Sequence, residues 1–259
     1  MTFAKTAENA GDYDRFVDWE KRLNREAPFF RLLFAEHETT SVIDVGCGTG
    51  RHAVLFASWG LDVTGVDPDP VMLERARAHA AERGSTARFA EGGFGGVAAL
   101  GLPLADAVTC TGNALPHVAG LEGLRAALRD FAAVVRSGGV VVLQLLNHDR
   151  LIGQQIRSIA PVVREDDEGT WAFLRVMDYV EGGIRFDFVT VHRPVGGWQN
   201  DEPWDVVSRR SLHTALPSSV LAGELEAAGF RGVRMFGDHT GKEYDPAKDE
   251  SVIVTAVRD

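Results

Sequence analysis

The chain has 259 residues, 45% of them hydrophobic, and a formal net charge of -10, which is enough to bury the core of one large domain or of one domain with a modest insertion. That acidic balance repels a phosphate backbone and argues against nucleic acid as a partner. No apolar run of about 18 residues offers to span a bilayer, and Met1 to Gly11 lacks the basic start and apolar middle of a signal peptide, so a cytoplasmic location without a membrane partner is expected.

Tyr13 to Glu36 places Phe16, Trp19, Leu23, Phe29, Phe30, Leu32 and Leu33 at helical spacing. Pro28 lacks an amide donor and is expected to restart the helix, giving two helices that lead into the core. From Ser41 strand and helix alternate. A strand over Ser41 to Val45 precedes a helix from about Arg51 to Trp59, and a strand over Asp62 to Val66 precedes a helix from about Val71 to Arg83. A short strand near Arg88, a strand over Ala107 to Cys110 and a helix from about Glu122 to Val135 follow. A Ser-Gly-Gly turn at Ser137 to Gly139 then introduces the apolar strand Val140 to Leu146. Such alternation predicts a parallel sheet.

After Leu151 the pattern changes. Segments around Trp171 to Val180, Ile184 to His192 and Val206 to Leu212 are rich in β-branched and aromatic residues, and glycine turns at Gly182 and Gly196 separate them. This predicts consecutive antiparallel strands. Trp171, Trp198 and Trp204 are expected to pack this insertion, and the acidic run Arg164 to Gly169 reads as a solvated hairpin end. Pro217 opens a helix to about Ala228 with Gly229 as its C-cap, and strands near Arg231 to Phe236 and Ser251 to Val257 close the chain. Cys47 and Cys110 are the only cysteines; they lie far apart without a partnering histidine cluster, so reduced thiols and no metal site are expected.

The phrase VIDVGCGTG, Val42 to Gly50, carries the chemistry. A glycine turn from strand into helix brings backbone close to a ligand. Dinucleotide folds need a third glycine five positions after the first, and that position here is Arg51. With Gly46, Gly48 and Gly50 alternating, the phrase is instead similar to motif I of the class I S-adenosylmethionine-dependent methyltransferases. That resemblance implies S-adenosylmethionine as cofactor. The loop Gly46, Cys47, Gly48 and Gly50, together with Asp44, would meet its methionine end, and Asp67 would accept from both ribose hydroxyls, with Pro68 and Met72 near the adenine. Gly93 stands where many of these enzymes carry an aspartate, so the backbone of Gly93 and Phe94 is expected at the adenine edge, with Glu91 as a side-chain candidate.

VTCTGNALPHV, Val108 to Val118, and SGGVVVLQLLNHDRL, Ser137 to Leu151, resemble the glycine and glycine/sarcosine N-methyltransferases, as do the lead-in YDRFVDWEKRL and the late GDHTG near Gly237. The resemblance implies an α/β, Rossmann-like, seven-stranded doubly wound sheet over residues 39–150 and 214–259. Helices over 1–38 and an antiparallel β insertion over 151–213 would form lids. It implies that Asn113 and His117 lie beside cofactor and substrate and that Asn147 faces the substrate. An arginine of the lead-in helix, Arg22 or Arg25, would hold the cofactor carboxylate, and the substrate-contacting aromatic is Phe16, with Tyr13 one turn away. Arg185 and Arg209 on the insertion are candidate clamps for a substrate carboxylate, and His117 is the candidate general base. The implied activity is methyl transfer to a small-molecule amine nitrogen. The alternatives are an O-methyltransferase of a natural-product pathway or a non-catalytic cofactor-binding module. The N-terminal helices and the insertion each offer a surface for homo-oligomer contacts.

Overall fold

The computed structural model describes residues 13–196 and 204–259; the expectations for Met1 to Gly11 and for Trp198 fall outside them. A single helical turn over 13–16 leads to α1, Trp19–Glu36, whose N-cap is Asp18, its side chain accepting from the Lys21 amide at 3.1 Å. The predicted break therefore lies at Asp18, and Pro28 sits inside a continuous helix. An interior proline costs about 3 kcal/mol; burial of Phe30, Leu33 and Phe34 one turn later offsets it.

The strand and helix series follows as β1 Ser41–Val45, α2 Arg51–Ala57, β2 Asp62–Asp67, α3 Pro70–Glu82, β3 Arg88–Glu91, β4 Ala105–Cys110, α4 Gly120–Val134 and β5 Val135–Leu146. Next come α5 His148–Gly153 and four strands, β6 Ser158–Asp166, β7 Gly169–Val180, β8 Gly183–Pro194 and β9 Asp205–Thr214. The chain closes with α6 Ser218–Ala227, β10 Phe230–Phe236 and β11 Ser251–Arg258. Seven strands form one sheet in the order β10-β11-β5-β4-β1-β2-β3, with β11 antiparallel to both neighbours. The other four form an antiparallel sheet in the order β6-β7-β8-β9. β6 escaped the sequence reading because Pro161 and a charged end disguise an edge strand.

Both faces of the large sheet are covered, which is why its central strands read as continuous apolar runs. Ile43, Val45, Val141, Leu143 and Leu145 pack with Leu124, Leu128 and Phe131 of α4 and Leu221 and Leu225 of α6. Val42, Val63, Val140 and Val142 pack against Phe30 and Phe34 of α1 and Phe56 of α2. Polar residues that interrupt these runs are therefore placed under helices.

One predicted turn is absent. Ser137 to Gly139 belong to β5, where Val135 pairs with Ala105 and Val140 with Ala107, so the extra residues bulge out of the ladder. The bulge presses Gly139 onto β4; an added Cβ there would lie 2.7 Å from the Asp106 carbonyl oxygen. The Asp106 carboxylate ties this corner. It accepts from the amides of Thr40 and Ser41 at 2.7 and 2.9 Å, from both their hydroxyls, and from Arg136 Nε at 2.5 Å. Replacing Asp106 by alanine is expected to lower stability by about 2–3 kcal/mol, the worth of hydrogen bonds to a charged acceptor. A chemical denaturation midpoint measured for Asp106→Ala checks this.

Candidate active site

In an open doubly wound sheet the ligand crevice opens where the strand order reverses, beyond the carboxyl ends of the strands. Here that point lies between β1 and β4, and the residues that follow these two strands face each other. Gly46 has φ +72°, and a Cβ there would stand 2.7 Å from the Cβ of Ala114, with the Phe94 ring at 3.9 Å. Only glycine fits this approach.

The loop donates its amides inward. Those of Gly46 and Cys47 go to the Val66 carbonyl at 2.7 and 3.1 Å, that of Gly48 to Asp67 Oδ2 at 2.9 Å, and that of Gly50 to the Cys47 carbonyl at 3.0 Å. A phosphate cradle needs free amides; these four are engaged, so the loop suits a ligand that donates hydrogen bonds. Asp67 also accepts from the Asp69 amide at 3.0 Å, and burial raises its pKa in spite of both amides. The Cys47 thiol lies close to Gly65 and burial pushes its pKa well up, so Cys47 serves the loop through its backbone.

Asp44 is buried and accepts from Thr109 Oγ1 at 2.7 Å, so its carboxylate supports the loop from below. Pro68 and Gly93 are neighbours across the β2 and β3 ends, a Cβ on Gly93 falling 3.6 Å from the proline Cβ. Met72 is half-buried in the first turn of α3. Asn113 adopts φ +66°, a region asparagine tolerates, and its side-chain oxygen accepts from the Leu146 amide at 2.9 Å, stitching the exit of β4 to the end of β5.

Three predicted contacts are corrected. Arg25 is exposed on α1; Arg22, with Glu26 one turn on, is the arginine on the covered face, so the choice between Arg22 and Arg25 falls on Arg22. Its Nε donates to Glu26 Oε1 at 2.9 Å and its Nη2 to Gln144 Oε1 at 3.3 Å, and Gln144 also accepts from the Gly112 amide at 2.7 Å. Asn147 is 1% exposed and fully engaged. It caps α5 through the Arg150 amide, donates to the carbonyls of Pro246 and Asp249 and accepts from the Tyr244 hydroxyl, which leaves nothing for a substrate. Arg185 pairs across the ladder with Asp178 and Leu212. Its neighbours Ile184 and Phe186 are buried, so the period of two turns Arg185 outward. Arg209 lies on the opposite, inner face, across from Phe188.

The N-terminal turn joins the two sheets. The Tyr13 hydroxyl would lie 3.1 Å from a Cβ on Gly112. Asp14 accepts from Thr49 Oγ1 at 2.8 Å and from Trp19 Nε1 at 2.9 Å, and pairs with Arg51 at 3.3 Å. Arg15 binds Asp166 at 2.9 Å and also Glu168, at the β6–β7 hairpin end. Phe16 packs edge-on against Phe173 and Phe188, with the Arg175 guanidinium 5.1 Å from its ring. Phe16 is therefore an anchor on the inner face of the second sheet.

Two polar clusters were missed by the sequence reading. In the first, Glu26, 1% exposed, binds His52 Nε2 at 2.7 Å as well as Arg22, with His239 at 3.9 Å. Burial alone would raise the Glu26 pKa; the hydrogen bond and charge of His52, then Arg22, bring it down to about 2. The only signals for this cluster were the Arg22 to Glu26 spacing and a glutamine inside an apolar strand. The second gathers His117, His148 and His213. His117 lies in the 3-10 turn Leu115–His117, His148 begins α5, and His213 comes from β9. His148 Nδ1 accepts from the Leu216 amide at 2.9 Å, and burial lowers its pKa to about 4.

A histidine held neutral by burial takes up its proton only on unfolding, so its contribution is present above the unfolded pKa of 6.5 and is lost as pH falls toward about 4. Replacing His148 by asparagine keeps an acceptor for Leu216. It is expected to flatten the acid side of the stability profile in that window by about 1.4 kcal/mol per pH unit, which denaturant unfolding measured at several pH values detects.

Residues 42–139 match the family model described as a methyltransferase domain. A glycine/sarcosine N-methyltransferase of Parasynechococcus marenigrum is 35% identical over 140 residues, covering 54% of this chain and 50% of that protein. The chain thus spans about half the length of the curated relatives it matches. Among solved structures, an S-adenosylmethionine-dependent methyltransferase from Clostridium acetobutylicum superposes with a TM-score of 0.77 at 16% identity, covering 97% of this chain and 98% of that one. An amino pentose methyltransferase from Micromonospora echinaspora, solved with S-adenosylmethionine bound, gives 0.73 at 21% identity over 100% and 99%. The chain has the fold of the class I S-adenosylmethionine-dependent methyltransferases, and residues 42–139 match a methyltransferase domain.

Proposed function

We propose that this protein transfers the methyl group of S-adenosylmethionine to a nitrogen of a small-molecule amine. The observation that carries the cofactor half is the glycine loop whose amides are engaged inward, a setting that favours an ammonium over a phosphate. Around it, Asp67 would accept from the ribose hydroxyls, and Arg22 would meet the carboxylate with a guanidinium oriented by Glu26 and Gln144. Phe94, Gly93 and Pro68 would border the adenine. Burial raises the Asp67 pKa in spite of its two amide donors, and ribose hydroxyls would give the carboxylate further donors.

The nitrogen half is supported by the glycine/sarcosine N-methyltransferase likeness and by the acidic net charge of -10, which favours cationic over anionic acceptors. When bound, the cofactor supplies an electrophilic methyl group, so the chain's own work is to position and deprotonate the acceptor and to exclude water. His117, on the loop after β4, is the imidazole placed for the proton. The acceptor would lie between that loop and the inner face of the second sheet, which carries Phe188 and Arg209 and packs Phe16.

Incubation of the full chain with methyl-labelled cofactor and a panel of amines, amino acids and phenols is expected to label an amine; label on phenols alone refutes the nitrogen assignment in favour of O-methylation. Calorimetry with S-adenosylhomocysteine should show Asp67→Ala binding more weakly by roughly 1–3 kcal/mol, the value of hydrogen bonds to a charged acceptor. The unliganded melting temperature of the same variant separates loss of the ribose contact from loss of the Gly48 support.

A further inference from the structure

We propose that His213, carried by the second sheet, is the positioning partner of His117, and that the two imidazoles act as one base that receives the proton of the acceptor's ammonium. The inference rests on the methyl-transfer reading above and names a part of that site which the sequence did not indicate.

Three geometric observations carry it. The rings of His117 and His213 are in contact, with centroids 4.4 Å apart and planes at 65°. They come from separate bodies, the loop after β4 and strand β9, and the residue next to His213 locks the two together. Thr214 Oγ1 donates to the Val118 carbonyl at 2.6 Å and accepts from the Gly120 amide at 2.9 Å, so the backbone immediately after His117 is held by β9. Finally, the His213 ring is fixed in place without being satisfied. It stacks on Phe186 at 4.2 Å and 28°, and its Nε2 lies 3.1 Å from Ser211 Oγ, yet its Nδ1 is buried with no partner. A buried ring nitrogen left unpaired costs about 1–3 kcal/mol, and such costs mark places where a ligand or a proton completes the network.

The surroundings keep the pair neutral. Burial, then His117 and His148, lower the His213 pKa to about 3, and burial lowers that of His117, which nevertheless keeps part of its side chain exposed. The other groups against the pair are Ser211 of β9, Phe186 of β8 and His148 of α5. Beyond His148 lies Asp149, which is already occupied by the Ser218 amide and the Tyr244 hydroxyl. Among the described residues no carboxylate acts on His117 or His213. In an edge-to-face pair a proton on one ring meets the π-face or lone pair of the other rather than a second cation. The step is a proton transfer: an N–H bond of the acceptor ammonium breaks, its electron pair stays on nitrogen, and the proton bonds to a ring nitrogen of His117. That freed pair is what makes the amine a nucleophile, and the proton leaves to water from the exposed edge of His117.

The test uses the full chain with an acceptor amine identified by the panel. His213→Gln, His213→Phe, His117→Asn and the double variant His117→Asn with His213→Gln are compared by S-adenosylhomocysteine calorimetry, by single-turnover rate against pH, and by imidazole proton NMR titration. Cofactor affinity is expected to stay within about twofold, which shows the fold intact. The rate at neutral pH is expected to fall by about 100-fold in both His213 variants, the scale of general-base catalysis, and to recover as rising pH deprotonates the amine. The double variant should be no slower than His117→Asn, and in the wild type the two imidazole signals should titrate together. A His213→Gln rate profile that matches the wild type, independent titration, or additive losses in the double variant each overturn the proposal while leaving the methyltransferase reading in place. Cofactor binding with no transfer to any amine overturns both.

Discussion

One buried carboxylate, Glu26, holds the site together. A charge removed from water must be met by partners or it destabilises the fold, and each partner of Glu26 belongs to a different element. Arg22 comes from the same helix, His52 from the helix that the glycine loop starts, and His239 from the segment after β10. Through Arg22 the link continues to Gln144 in β5 and to the backbone of Gly112 after β4. The relative positions of α1, α2 and the ends of β4 and β5 are thus set by one electrostatic requirement rather than by apolar packing alone, and the cleft lies where those elements meet.

The same economy is visible in the loop. Because its amides are used to fasten it to β2 and to Asp67, the loop is held in its shape by its own hydrogen bonds, and those amides are not left over for a ligand. Two folds with the same sheet and the same strand to helix turn thereby part company: one leaves its amides free for a pyrophosphate, the other spends them on itself. Glycine spacing is the sequence record of that difference.

The large sheet was legible because its strands, covered on both faces, are long apolar runs separated by amphipathic helices. The glycine loop and Asp67 were legible because local backbone geometry dictates residue type there. What stayed hidden depends on register and on distance. Asn113 and Asn147 look alike in the sequence, but one bridges β4 to β5 and the other is consumed by a helix cap and by three contacts with neighbours about 100 positions away in the chain. Arg185 and Arg209 both lie on strands, and only pairing across the sheet decides which faces inward. Ser137 to Gly139 read as a turn because its composition is that of one; the ladder to β4 absorbs it as a bulge. His213 gave no signal, since its neighbour in space is 96 positions away.

The turn at residues 13–16 touches the glycine loop through Asp14 and the second sheet through Arg15 and Phe16. Those contacts are a seam between the two bodies that enclose the cleft. Asp14, Arg15 and Phe16 are consecutive, so no more than about 7 Å of chain separates the contact on the glycine loop from the contact on the second sheet. A displacement at one end of the turn is therefore transmitted to the other, and the seam ties the glycine loop of the large sheet to the inner face of the second.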